Sequence, residues 1–405
     1  MNPSSAQMLG GLRVLDFSRV MSGPYCTAML ADLGAEVIKI EQPGEGDISR
    51  HVAPHVEGVS SYYSLLNRGK KSIALNLKDP RAVELVIALA RTADVVVENF
   101  RPGVMDGLGL GYATLAGAHP RLVYASISGF GQTGPLARLP AYDLVVQAMS
   151  GLMSVTGERN GRGLAVGESF ADICSGIFAS WGILAALHDA QRAGRGRHVD
   201  VAMLDCMFSM LVTPLSRMLA TGELPGRVGN RHPETYPCDT FSTRDGDVAL
   251  VCLGDPAFHA LARAIGRPDL VDDPMFTTNA DRNRNEARLR SVIEQWCATR
   301  SRQDVIDALR KGGVPCAPIW NLADVMNSGQ VEQRGLLKAA PPGRRGLDAV
   351  VPQPVKFSDR PDGPVASAPQ LGEHTVQVLR TVLHLGEAEL VALRAAGVIA
   401  GGEAI

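Results

Sequence analysis

The chain lacks most of the features that would sort it into a specialised class. It has no basic excess: 40 Lys and Arg stand against 42 Asp and Glu, a formal net charge of −2. Nucleic-acid-binding domains carry a positive surplus, so no nucleic-acid partner is expected. A polyanionic ligand must therefore be met by a local group of cations. There is no C-x-x-C pair. The seven cysteines, from Cys26 to Cys316, are odd in number and scattered, which speaks against a disulfide framework or a zinc site and for reduced thiols. No metal is expected. The opening MNPSSAQM has neither a positive start nor an apolar core, so no secretory signal is read there. The longest strongly apolar stretch, residues 176–187, is shorter than the about 20 residues that span a bilayer and reads as a buried helix. A cytoplasmic protein without a membrane partner is expected.

What is present is a regular alternation of short β-rich and helical segments. Residues 13–17 form a β-rich run, broken at Ser22-Gly23-Pro24, and an apolar-periodic segment follows as far as Gly34. Ser22 suits an N-cap, Pro24 the first helical turn, and Gly34 a left-handed C-cap. A second β-rich run at 36–40 completes a βαβ unit, whose first strand commonly presents its C-terminal end to a ligand. The G-x-G-x-x-G phosphate fingerprint is missing from that turn, where Val20-Met21-Ser22-Gly23-Pro24 stands instead. Further strands are expected at 71–77, 94–100, 121–130 and 198–204. Helices are expected at 81–92, near Leu115, from Asp143, and at 172–193. Buried strands alternating with helices predict an α/β fold with a parallel sheet covered on both faces.

The pattern changes near residue 222, where a Gly-, Pro- and Arg-rich stretch without apolar period reads as a linker or site loop. A hairpin over 241–253 turning at Asp245-Gly246, then helices at 256–265, 281–299 and 302–312, predict a smaller α+β domain. The expected division is therefore 1–221, 222–330 and 331–405. The last part is loop-rich before two helices at 373–383 and 386–396.

Several residues invite a chemical role. The run Arg68-Gly69-Lys70-Lys71, with Lys78 beyond it, is either an anion-binding cluster or a solvated strand edge. Asp172, ahead of a long helix, reads from spacing alone as an N-cap. Asp143 opens an amphipathic helix and serves either as a first-turn charge or in a substrate site. Two glycine-bearing stretches are declined. Residues 107–111 lie away from the first βα turn, and Gly69-Lys70-Lys71-Ser72 lacks the preceding P-loop glycine and leads into a strand.

Residues 11–47, together with GLGLGY, SISGFGQTGP, GRG-x-x-VDVAM, GNRHP and LGEHT, resemble the class III CoA-transferases. That family includes the formyl-CoA:oxalate and carnitine CoA-transferases and α-methylacyl-CoA racemase. The resemblance implies a Rossmann-like large domain built from both chain ends, a small inserted domain, and an interlocked homodimer. It implies coenzyme A or acyl-CoA and a carboxylic acid as substrates, with no permanently bound cofactor. Asp172 falls at the nucleophilic aspartate, and a helix N-terminus there is expected to keep the carboxylate ionised. Leu75 and Lys78 match positions lining the adenosine pocket, and Asn99 and Phe100 match contacts to nucleotide and pantetheine, with Arg101 beside them. Val20, Met21 and Ser22 form the active-site loop, and Gln42 lies near the adenine.

The match is incomplete in places. Gln42 and Gly107 stand where relatives have arginines, Met21 replaces a glutamine, and Leu253-Gly254-Asp255 stands in place of a glycine-rich flap. Arg231 or His232 could meet the acceptor carboxylate, or simply fix a surface loop. Tyr142 stands where the racemases have a histidine. A group of unperturbed pKa about 10 exchanges protons poorly near neutrality, so transfer is favoured over racemisation. An α-methylacyl-CoA epimerase and a non-catalytic CoA-binding protein remain the alternatives. Succinyl-CoA with a small dicarboxylate acceptor is the substrate expectation.

Overall fold

In this computed structural model, which describes residues 7–343, 345–358 and 366–402, the chain divides into two compact units. The larger takes the chain through Leu152, Ala165–Val212 and the part from Glu332 onward. Its strands are short and β-branched: β1 (Arg13–Asp16), β2 (Glu36–Glu41), β3 (Lys71–Leu75), β4 (Val95–Glu98), β5 (Val123–Ser128) and β6 (His198–Ala202). They lie parallel in the order β3-β2-β1-β4-β5-β6, the doubly wound arrangement of dinucleotide-binding folds. A seventh strand, β7 (Ile399–Ala400), pairs antiparallel with β3 at the edge. The sheet expected to be parallel is therefore mixed, because a chain returning from the far end reaches an edge without needing a crossover.

Successive strand residues face opposite sides of the sheet, and two cores result. Leu15, Ile38, Ile73 and Val96 pack with Val86, Leu89, Leu379 and Leu390 on one face. Val14, Val37, Val95 and Val123 pack with Leu30, Ala179 and Ile183 on the other.

Three helices position the site: α1 (Ser22–Asp32), α2 (Asp143–Met149) and α3 (Phe170–Ala193). The expected cap of α1 is corrected, because Met21 is the N-cap and Ser22 is the first helical residue. This frees the Ser22 hydroxyl for other work. Gly34 follows α1 with φ +102°, the left-handed conformation that glycine tolerates. Helix α3 starts two residues ahead of Asp172, with Ser169 as N-cap, so Asp172 occupies the first turn and is not the cap. At 24 residues α3 is also longer than its apolar stretch suggested, long and apolar enough by length and composition to cross a membrane. Its Ala171, Ser175, Ala179, Ile183 and Ala186, spaced at helical period, are buried in the core of the larger unit.

The smaller unit comprises Met153–Leu164 and Thr213–Val331. The first of these segments carries no sequence signal that separates it from the large domain. A three-stranded antiparallel sheet (Cys238–Thr243, Gly246–Val251, Cys316–Pro318) packs with helices Asp255–Ala264, Glu286–Ala298 and Arg302–Lys311. The helix expected over 281–299 is two, broken at Asn285, which caps the second. Residues 359–365, within the stretch read as loop, lie outside the described residues.

Candidate active site

The strand order reverses between β1 and β4, so their carboxyl ends diverge and leave a crevice for a ligand. The chain leaving β1 (residues 17–21) and the chain leaving β4 (Asn99–Arg101) line that crevice. Asn99 ties the two together. Its Oδ1 accepts from Arg19 N at 2.8 Å, and its Nδ2 donates to Arg19 O at 2.8 Å and to Ser22 Oγ at 3.1 Å. Val20 sits at φ +66°, strained for a β-branched residue, and is held there by a bond from its N–H to Asp47 Oδ1 at 3.1 Å. Gly23 is required, because a Cβ on it would lie 2.2 Å from Ser18 Cβ.

Beneath this loop lies a dry ionic lattice. Lys39 pairs with Asp47 at 2.9 Å and donates to Ser18 O at 2.7 Å. Lys70 pairs with Asp16 at 2.9 Å and donates to Pro24 O at 3.1 Å. Burial opposes ionisation of Asp16, but Lys70 and Lys39 outweigh it and hold the carboxyl below its ordinary range. The rest of the basic run is engaged too: Arg68 pairs with Asp32 at 2.5 Å and Lys71 with Glu36 at 2.5 Å. Arg68, Lys70 and Lys71 are therefore structural ion pairs, neither an anion cluster nor a solvated edge. Lys78 of that expected group lines a cavity at the crevice.

Two cavities open at the crevice. One, of about 180 Å³, is lined by Phe17, Arg19, Gln42, Leu75, Lys78 and Phe100 among others. The second, of about 420 Å³, is lined by Arg19, Val20, Ser22, Asn99, Phe100, Arg101, Tyr142 and Asp172 among others. Arg19 and Phe100 belong to both. The Phe100 N–H donates to Glu98 Oε2 at 2.8 Å, and the Arg19 guanidinium stacks 4.7 Å from the Phe100 ring centre. Met21 lines neither cavity; it is buried as the cap of α1.

Asp172 is positioned by its neighbours at the start of α3. Asp143 Oδ1 accepts from the N–H groups of Ala171 at 2.7 Å and Asp172 at 3.3 Å, serving as a cap donated from another helix. Gln147 has only one satisfied amide orientation. Its Nε2 donates to Asp143 Oδ2 at 2.7 Å and Glu168 O at 3.2 Å, and its Oε1 accepts from Val166 N at 2.9 Å. Burial pushes the Asp172 carboxyl up to about 7; the charge of Asp143 adds to this and the Ser22 hydroxyl pulls back. The expectation that the helix N-terminus keeps Asp172 ionised is thus corrected. The first-turn N–H groups that would favour the anion already bond Asp143, whose own charge opposes a second one.

Arg231 and His232 are held by contacts of the smaller unit. Arg231 donates to Asn283 Oδ1 at 2.7 Å and stacks 5.6 Å from the Tyr236 ring centre. His232 Nδ1 accepts from Glu234 N at 3.1 Å. Sequence reasoning missed Arg19 and Gln147. A cation at the end of an apolar strand could have signalled the first. A glutamine four residues after Asp143 on an apolar helix could have signalled the second.

Among the described residues no group of three or more His, Cys, Asp or Glu could hold a metal ion. The doubly wound sheet thus places a carboxylate at a helix start beside a divided crevice at its ligand-binding edge. The family model for CoA-transferase family III matches residues 9–375. The chain belongs to that family and is an enzyme of CoA transfer. It is 46% identical over 328 residues to an acetyl-CoA:oxalate CoA-transferase of Acetobacter aceti, covering 81% of this chain and 84% of that one. It is 38% identical over 381 residues to a succinyl-CoA:mesaconate CoA-transferase of Haloarcula marismortui, covering 92% and 95%. A solved structure of a CAIB/BAIF family protein from Brucella suis superposes with a TM-score of 0.83 at 37% identity, over 93% of this chain and all of that one.

Proposed function

We propose that the enzyme moves CoA from an acyl-CoA donor to a small dicarboxylic acid, with Asp172 as nucleophile. The observation that carries this is the placement of Asp172 in a cavity that shares Arg19 and Phe100 with a second cavity lined by Leu75 and Lys78. A thioester on a nucleotide handle, seated with its nucleotide at Lys78, presents its carbonyl to Asp172. The ionised carboxylate attacks that carbon, the C–S bond breaks, and a mixed anhydride and CoA thiolate result. The thiolate attacks the aspartyl carbonyl, releasing the donor acid and leaving an aspartyl-CoA thioester. The acceptor carboxylate then displaces the thiolate to give a second anhydride. The thiolate attacks its acceptor acyl carbon, releasing product acyl-CoA and the Asp172 carboxylate. Both anhydrides are hydrolysable, so the site must exclude water while they exist.

The relatives support this substrate class, one being an acetyl-CoA:oxalate and another a succinyl-CoA:mesaconate CoA-transferase. No histidine is among the residues lining the Asp172 cavity, where Tyr142 stands instead, which supports transfer over racemisation. Incubation of the enzyme with a panel of acyl-CoA donors and dicarboxylates, read by mass spectrometry in deuterated water, tests the reading. We expect acyl-CoA exchange with no deuterium at the α-carbon. Asp172→Ala should abolish exchange and leave CoA affinity nearly unchanged. Turnover by that variant, or α-deuteration without exchange, contradicts it.

Two further parts of the reading concern the setting. Ile177, Trp181 and Leu184 form an exposed stripe along α3, with Trp181 69% exposed in a single chain. That exposed apolar stripe supports a homodimer, interlocked as the resemblance implies, in which a second copy of the chain covers it. Trp181→Glu should then shift the mass measured by light scattering from dimer to monomer. The seven free cysteines are in keeping with a reducing cytoplasm.

A further inference from the structure

Arg19 is the one cation that lines both cavities, and it lies at their seam. Its main chain is clamped on both sides by the Asn99 amide. Its guanidinium carbon lies 4.7 Å from the centre of the Phe100 ring, and the Phe100 backbone is itself held by Glu98. A cation–π contact of this kind holds the group at the ring and leaves the N–H donors of its planar fork available.

The acidic groups that could have neutralised it are engaged elsewhere. Glu41 and Asp47, which line the smaller cavity with it, pair with Arg50 at 2.7 Å and Lys39 at 2.9 Å. Among the described residues Arg19 makes no ion pair. It is also not among the groups that set the acidity of Asp172, which are burial, Asp143 and Ser22. Arg19, lining both cavities and without an ion pair among the described residues, serves neither the fold's ionic lattice nor the acidity of Asp172.

We propose that Arg19 is a specificity-determining residue that binds an anionic oxygen group of the bound acyl-CoA. This rests on the CoA-transfer reading above. The group is either the distal carboxylate of a dicarboxylic acyl chain or the diphosphate of the CoA handle. Both present the paired oxygens that a guanidinium edge matches.

Binding, measured by calorimetry without turnover, distinguishes these sources. The probes are thioethers, which cannot acylate Asp172: S-(3-carboxypropyl)-CoA, its uncharged counterpart S-butyl-CoA, and the same two groups on pantetheine. If the acyl carboxylate is bound, Arg19→Gln should weaken S-(3-carboxypropyl)-CoA by about tenfold or more and leave S-butyl-CoA near wild type. If the diphosphate is bound, both CoA thioethers should weaken alike and both pantetheine thioethers should not. Arg19→Lys should recover part of either loss by restoring the charge. Unchanged affinity for all four probes overturns the proposal. So does an equal loss across all four, since S-butylpantetheine carries neither anion and would report only a disturbed loop. A wild-type enzyme that binds the thioethers but transfers CoA from no donor would sink the CoA-transfer reading while still deciding the role of Arg19.

Discussion

For Asp172 as the proposed nucleophile, two requirements of one side chain conflict. Attack on a thioester needs the carboxylate, whereas burial and the neighbouring Asp143 hold the proton on until about pH 7. The rate kcat/KM should therefore rise with pH through about 7 and level off above it. Asp143→Asn removes the smaller of the two raising effects, so the rising limb should move to lower pH and still stay above an ordinary carboxylate. The same shift has a stability consequence of fixed sign. A carboxyl whose folded pKa is raised contributes stability below the unfolded value of about 3.9, and that stability is lost as pH rises through 7. Asp172→Asn should thus stabilise the protein at pH 8, by at most about 4 kcal/mol, and change little at pH 4. Urea unfolding at the two pH values measures both arms. An equal gain at both would show that the benefit is not electrostatic.

The start of α1 meets the second turn of α3, and a glycine sets how closely. A Cβ on Gly176 would lie 2.6 Å from Ser22 O and 3.4 Å from Cys26 N, so Gly176→Ala must push the helices apart, at a cost of about 1–3 kcal/mol. Gly176 is one turn beyond Asp172 on α3, and Ser22 is the residue whose hydroxyl lowers the Asp172 pKa. The variant should therefore lose activity and shift its pH limb upward, a change that destabilisation alone does not produce. The elements themselves were largely legible, because VVVE is a continuous β-branched run, VYASIS lies in a stretch rich in strand formers, and Gly34 punctuates α1. The caps were less so. Nothing in Ser22-Gly23-Pro24 reveals that the helix starts at Ser22 with Met21 before it. Asp172 resembles a cap in sequence because the N-cap Ser169 makes no side-chain bond and the carboxylate that accepts from the first-turn N–H groups, Asp143, arrives from a helix 29 residues earlier. The fate of Lys70 and Lys71 was equally hidden, since their partners Asp16 and Glu36 are brought to them only by the β3-β2-β1 pairing.

For the whole molecule, the sheet is completed from the far end of the chain. Val398 O accepts from Asn76 N at 2.9 Å and Ile399 pairs with Leu75, while Thr375 Oγ1 accepts from Ala74 N across 301 residues. Ending the chain before Val398 uncovers Val398's and Ile399's sites on β3 and should cost about 3–6 kcal/mol. Because Leu75 and Asn76 line the cavity assigned to the nucleotide, CoA affinity should fall as well, and titration of CoA into the truncated protein tests it. Stability lost without any change in affinity would separate the edge strand from the site. The resemblance implied this return of the chain, whereas the two-residue strand that makes it is too short to carry a sequence pattern of its own. On a ribosome adding about 5–20 residues per second, β3 emerges well before its edge partner, by roughly 15 seconds to a minute. Throughout that interval the nascent chain holds an open strand edge beside the cavity lined by Leu75 and Lys78. Protein synthesis itself thus sets when that edge is closed, and until then it is a template on which another chain can pair.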